Sequence, residues 1–182
     1  MRRIFLILVG LIATTALTAP VALAASPHFK SGGSPTCTIT ATSSSSDSTT
    51  CSAAMAGLGN ADLVVTTSTS GSAVYQCSNN GGNIAPGQNK VLVGPATSST
   101  TIPAGEIKNG NLSFTTNPAV LSAPTTVSGA AAGCPNANWT GVNPKLTLTD
   151  ITLTIEQPPG TVIFTCTASN PNGLSGTVPL GC

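Results

Sequence analysis

Hydrophobic and polar residues alternate along several stretches of this chain, and the period of two predicts β-strands rather than helices. Cys37, Ile39 and Ala41 alternate with threonines. Ala73, Tyr75 and Cys77 share one parity, as do Leu112 and Phe114, and Val162, Phe164, Cys166 and Ala168. The longest such run is Lys145 to Glu156. Within it Leu146 and Leu148 share one parity, while Ile151, Leu153 and Ile155 share the other. A straight strand would send the two sets to opposite faces, so a bulge or bend near Thr149-Asp150 is predicted, restoring one buried face.

Turn signals are dense between these runs. Asn80-Gly81, Asn109-Gly110 and Asn172-Gly173 are predicted tight turns, because both residue types tolerate positive φ. Lys108-Asn109-Gly110-Asn111 reads as the clearest hairpin, joining a strand through Ile107 to one that begins at Leu112. Prolines 86, 95, 103, 118, 124 and 144 belong at strand ends or edges, where a missing N–H is tolerated. Strong helix formers are rare, and very little helix is expected. About eight to ten short strands with frequent turns predict an all-β, immunoglobulin-like antiparallel β-sandwich. Residues 79–89 read as a long Gly/Asn loop, and Ser43 to Ser46 as a hairpin tip.

The first residues carry a different pattern. Arg2-Arg3 precede an apolar run from Ile4 to Ile12, and Ala22-Leu23-Ala24 has the small-x-small form of a cleavage site. Residues 1–24 are therefore predicted to be a signal peptide, residues 25–35 a flexible N-terminal arm, and residues 36–182 a single domain. Beyond the signal no apolar run approaches membrane length, so no membrane association is expected after cleavage.

Composition narrows the function classes. Past residue 24 the charges are Lys30, Lys90, Lys108 and Lys145 against Asp47, Asp62, Glu106, Asp150 and Glu156, with no arginine. A nucleic-acid binder needs a basic patch, and none is evident. The six cysteines of an exported chain predict three disulfides. Cys37 and Cys51 lie symmetrically about Ser44, so a hairpin turning there sets them opposite and predicts their bridge. No C-x-x-C spacing exists and His28 is the only histidine, which argues against a metal or redox site. Pro27 lacks the amide nitrogen that a copper chelate at the N-terminus would use. No cofactor is expected.

Candidate chemistry is sparse. Nothing in the sequence pairs two carboxylates for acid/base work; Asp62 and Asp150 read as turn or capping residues. No Gly-x-Ser-x-Gly elbow or phosphate-binding loop is present. Trp139, in Cys134-Pro135-Asn136-Ala137-Asn138-Trp139, is the one candidate sugar-stacking ring, with Asn138 and Asn83 as polar neighbours. Its competing reading is packing in the core or against a disulfide. Tyr75, two residues before Cys77, is expected in the core with a hydrogen-bonded hydroxyl. Asn111-Leu112-Ser113 and Asn138-Trp139-Thr140 match N-glycosylation acceptors, which matter only in a eukaryotic secretory pathway.

The order Gly57-Leu58-Gly59-Asn60, Tyr75-Gln76-Cys77-Ser78-Asn79-Asn80-Gly81-Gly82-Asn83, Lys108-Asn109-Gly110, Cys134-Pro135-Asn136 resembles a group of small secreted β-sandwich proteins of actinobacteria and some filamentous fungi. The resemblance spans residues 36–168 and implies secretion and a β fold, without implying a mechanism. It also implies a Cys77–Cys134 bridge, which leaves Cys166 to pair with Cys182. Some members place His-Phe directly after the signal peptide. Here Ser26-Pro27 intervenes before His28-Phe29, which argues further against an N-terminal metal site. The expected function is that of a secreted, non-enzymatic extracellular or cell-wall-associated protein acting through surface contacts, its partner a cell-wall polysaccharide or another extracellular protein. A carbohydrate-binding module is the alternative, and a secreted hydrolase or copper-binding protein the third reading.

Overall fold

The computed structural model describes residues 26–182. The signal-peptide expectation over residues 1–24 lies outside them. The described residues form two antiparallel sheets packed face to face.

The first sheet is organised around β3 (Ser46–Ala56). One edge of β3 pairs with β2 (Thr36–Ser43) and then with β1 (His28–Phe29). The other edge pairs with β6 (Leu112–Thr115) and β7 (Ala119–Ser122) in succession. β11 (Gly176–Pro179) completes the sheet beside β2. The second sheet is built from three long strands, β4 (Leu63–Ser78), β5 (Ile84–Ile102) and β9 (Thr140–Glu156). β4 lies between β5 and β9. β10 (Val162–Ser169) and β8 (Val127–Ser128) pair with the far edge of β9. One short helix, α1 (Gly129–Ala132), is capped by the Ser128 hydroxyl, which accepts from the Ala131 N–H.

The inward face of each strand follows its parity. Met55, Leu63, Val65, Leu121, Leu148, Ile151, Leu153 and Ile155 are buried between the sheets. The two hydrophobic sets of β9 reach one face because the β4–β9 register steps from Ser70↔Asp150 to Gly71↔Leu148, leaving Thr149 as the extra residue of a bulge. Several inward positions are threonines. Thr49, Thr67, Thr69 and Thr116 are buried, and the Thr116 hydroxyl accepts from the Cys51 N–H at 3.0 Å.

Three disulfides brace this fold: Cys37–Cys51, Cys77–Cys134 and Cys166–Cys182. The first joins residues directly opposite on β2 and β3, with Cα atoms 3.9 Å apart. The second ties the end of β4 to the segment after α1. The third lies beside the Thr167↔Gly181 bridge, where the C-terminus crosses from the first sheet to β10 of the second. Three such bridges suit an oxidising compartment. Among the described residues no helix is long and apolar enough to cross a membrane.

Three expectations need correction. The predicted flexible arm over residues 25–35 contains β1, whose Phe29 ring packs at a tilt of 45° against Phe164 of the other sheet, centroids 4.6 Å apart, while Lys30 N–H donates to Ala54 O. Cross-strand pairing and an aromatic contact therefore hold a segment whose polar composition suggested mobility. The predicted loop over residues 79–89 is mostly strand, since β5 begins at Ile84 and only Asn79 to Asn83 form the turn. Gly, Asn and Pro there mark a distorted edge strand rather than a loop. Val162 leaves the face it was expected to share with Phe164, because a register shift between them turns it outward.

Candidate functional site

The two ends of the sandwich are built differently. At the end where β4 starts, the loops hydrogen-bond to one another. The buried Gln157 side chain donates to Gly59 O and Ala61 O and accepts from Gly59 N–H. Leu58 N–H donates to Gly110 O, and Asn109 (φ 52) with Gly110 (φ 73) forms the two-residue turn of the Lys108–Asn111 hairpin. Asp62 accepts from Ala104 N–H, Glu156 from Gly160 N–H, and the Lys108 ammonium donates to Gly105 O. The Gly57-Leu58-Gly59-Asn60 and Lys108-Asn109-Gly110 sequences thus meet in one hydrogen-bonded knot.

At the other end the second sheet is sharply distorted. Between Val74 and Gln76 one residue of β4 stands against two of β9 (Asn143, Pro144) and three of β5 (Gly87, Gln88, Asn89). Asn143 takes a positive φ of 50 to make its part of this bend. Gly87 is required there, since a Cβ would lie 2.5 Å from Tyr75 O and 2.7 Å from Ala132 O. Tyr75 is buried and its hydroxyl donates to Pro124 O at 2.9 Å, fixing the covering segment to β4. The Asn143 amide donates to Gln76 Oε1 at 2.9 Å across the bend.

The bend opens a cleft of about 930 Å³ lined by Asp47, Val74, Gln76, Ile84, Pro86 and Lys145, among others. That volume lies in the range of small-ligand sites. Val74 and Ile84 are 40% and 56% exposed, and Leu92 on the same sheet is 89% exposed. Lys90 and Leu92 line a second cleft of about 300 Å³ with Asp150. Register places Lys90 and Lys145 directly opposite Val74 on its two sides, so the three side chains form one row on one face.

The carboxylates do not assemble a catalytic pair. Asp150 accepts from the Ser169 and Thr149 hydroxyls, and these bonds hold its pKa below the usual carboxylate range. They also brace the bulge at Thr149. Asp47 lies across from the buried Leu121 at the mouth of the cleft, and partial burial pushes its pKa up. Asp62 and Glu156 are engaged in the knot at the opposite end. Among the described residues no group of three His, Cys, Asp or Glu side chains is placed to hold a metal ion. His28 is exposed, with Nδ1 2.9 Å from Ser26 O.

The sequence-predicted ligand residues gather at the bent end but outside the large cleft. Ser78 pairs with both Ile84 and Thr140, which brings Asn83 and the Asn138-Trp139 segment to the same end. Asn83 is exposed, and its N–H donates to Asn79 Oδ1. Asn138 is exposed on a turn, its N–H donating to Asn136 Oδ1. Trp139 is half-buried and packs against the buried cluster, so only part of its ring faces solvent. Sequence reasoning missed the Lys90, Val74, Lys145 row, because only cross-strand register reveals it; the outward parity of Val74 between Ala73 and Tyr75 was the available signal.

No protein-family model matches the chain, and no curated protein matches it either. Among solved structures, a β-glucuronidase from glycoside hydrolase family 2 gives a TM-score of 0.36 at 12% identity. The match covers 79% of this chain and 12% of that one. Likeness at this level carries no argument about activity.

Proposed function

We propose that this is a secreted, non-enzymatic extracellular or cell-wall-associated protein that acts through surface contacts, with the bent end of the second sheet as its contact surface. The observation that carries the reading is the concentration of exposed aliphatic side chains (Val74, Ile84, Leu92) on this sheet at the two clefts. Exposed apolar groups gathered in this way mark interaction surfaces. Secretion is supported by the Arg2-Arg3, apolar run and Ala22-Leu23-Ala24 pattern, together with the three disulfides. The resemblance to small secreted β-sandwich proteins agrees with this reading. The absence of paired carboxylates at the clefts favours binding over hydrolysis.

The test is sedimentation of the oxidised protein with insoluble cell-wall polysaccharide, with released sugars measured in the supernatant. Binding without release is expected. Sugar release abolished by substituting one carboxylate would overturn the non-enzymatic reading. The second reading, a carbohydrate-binding module using Trp139, Asn83 and Asn138, is favoured by their gathering at one end. It requires Trp139→Ala to abolish retention on the polysaccharide.

A further inference from the structure

Rows of residues cross the outer face of the second sheet at its bent end. Lys90, Val74 and Lys145 form one row, and Leu92 and Thr147 flank Ser72 in the next. Beyond the bend Pro86 and Val142 flank Gln76. Lys90 and Lys145 are both exposed. They stand two strand spacings apart, roughly 10 Å, with an aliphatic side chain between them. The remaining lysines differ. Lys108 is engaged with Gly105 O, and Lys30 sits where its backbone joins β3 at the other end.

We infer that this row is a docking face for an acidic polysaccharide whose carboxylates meet Lys90 and Lys145 while its sugar rings lie over Val74 and Leu92. The inference rests on the surface-contact reading above and names the ligand class. Charge complementarity supports it: two cationic points flank an apolar strip, and a span of this length can be bridged by linked pyranose rings. The aromatic residues are engaged elsewhere. Tyr75 and Phe114 are buried, Phe29 and Phe164 pack against each other, and Trp139 packs against the core. Among the described residues the face therefore offers no aromatic platform for a neutral sugar, and recognition falls to the ammonium groups, the aliphatic strip and the Gln76–Asn143 amide pair. The aliphatic strip suits the apolar faces of sugar rings better than a polyol-phosphate chain, which lacks such faces. Two acids border this face: Asp150 at the second cleft, whose two oxygens already accept from Thr149 and Ser169, and Asp47, which lines the large cleft with Val74 and Lys145. Asp47 lies on the inward side of β3, across from the buried Leu121.

The experiment measures binding of the purified secreted protein to polygalacturonate, to neutral pullulan and to poly(glycerol phosphate) at low and high salt. Polygalacturonate is expected to bind, to weaken at high salt, and to lose about tenfold or more in affinity in the Lys90→Gln/Lys145→Gln variant. Lys90→Arg/Lys145→Arg should keep the binding, and the melting temperature of both variants should match the parent, since both lysines are exposed. Pullulan bound as tightly as polygalacturonate would overturn the inference while leaving the surface-contact reading standing. Tighter binding of the phosphate polymer, no binding of polygalacturonate, or unchanged affinity in the glutamine variant would each overturn it as well.

Discussion

Where β4 begins, Gln157, Asp62, Glu156 and Lys108 all hydrogen-bond within the chain; where β4 finishes, Lys90 and Lys145 reach solvent beside Val74, with Ile84 and Leu92 also exposed. Both ends are rich in glycine and asparagine. The first uses them to close a knot around the buried Gln157 amide. The second uses them to bend a sheet and open a cleft. Motif density therefore does not locate function in this chain. Unengaged side chains are what separate the two ends, because polar groups already satisfied internally have little left to offer a partner.

The comparison can be broken from either side. The largest effect should come from opening Cys77–Cys134 with Cys77→Ser/Cys134→Ser. The bridge closes a loop of 57 residues and braces the segment that covers the bent end. Chain entropy alone predicts a loss of about 4 kcal/mol, readable in denaturant unfolding. Gln157→Ala should cost about 1–2 kcal/mol by leaving half-buried backbone groups at Gly59 and Ala61 without their side-chain partner. That variant should leave polysaccharide retention unchanged; a parallel loss of retention would show that the two ends are not separable. Tyr75→Phe removes the bond to Pro124 O and should cost about 1 kcal/mol in the same assay.

The smallest effects are electrostatic and opposite in sign. The hydroxyls of Ser169 and Thr149 depress the folded-state pKa of Asp150, so it contributes stability above the unfolded carboxylate pKa. That contribution disappears as pH falls through the folded value, and Asp150→Asn should flatten this part of the acid limb. Burial raises the pKa of Asp47, so its ionised form costs stability at neutral pH and the cost is relieved on acidification. Asp47→Asn should therefore be slightly more stable than the parent near neutrality. Equilibrium unfolding as a function of pH reads both.

Much of the architecture was legible because it depends on local rules. Asn109-Gly110 forms the two-residue turn its chemistry demands, and the parity switch between Leu148 and Ile151 becomes the Thr149 bulge. The course of β5 was not legible. Pro86, Gly87, Asn89, Gly94 and Pro95 break its alternation, and pairing to β4 overrides their turn preference. Buried threonines also hid strand length, since Thr49, Thr67 and Thr69 read as polar positions although they face the interior. The lysine row was beyond reach for a different reason. Lys90 and Lys145 are far apart in sequence, and only the register through Val74 makes them neighbours on one face.

The most direct test of the account compares retention on cell-wall polysaccharide of two surface variants, one at each end. Ile84→Ser/Leu92→Ser alters the bent end at exposed positions, and Glu106→Ala/Lys108→Ala alters the knotted end. Retention lost in the first and kept in the second, with both melting like the parent, is the predicted result. Retention lost in the second, or kept in both, would contradict the placement of the contact surface.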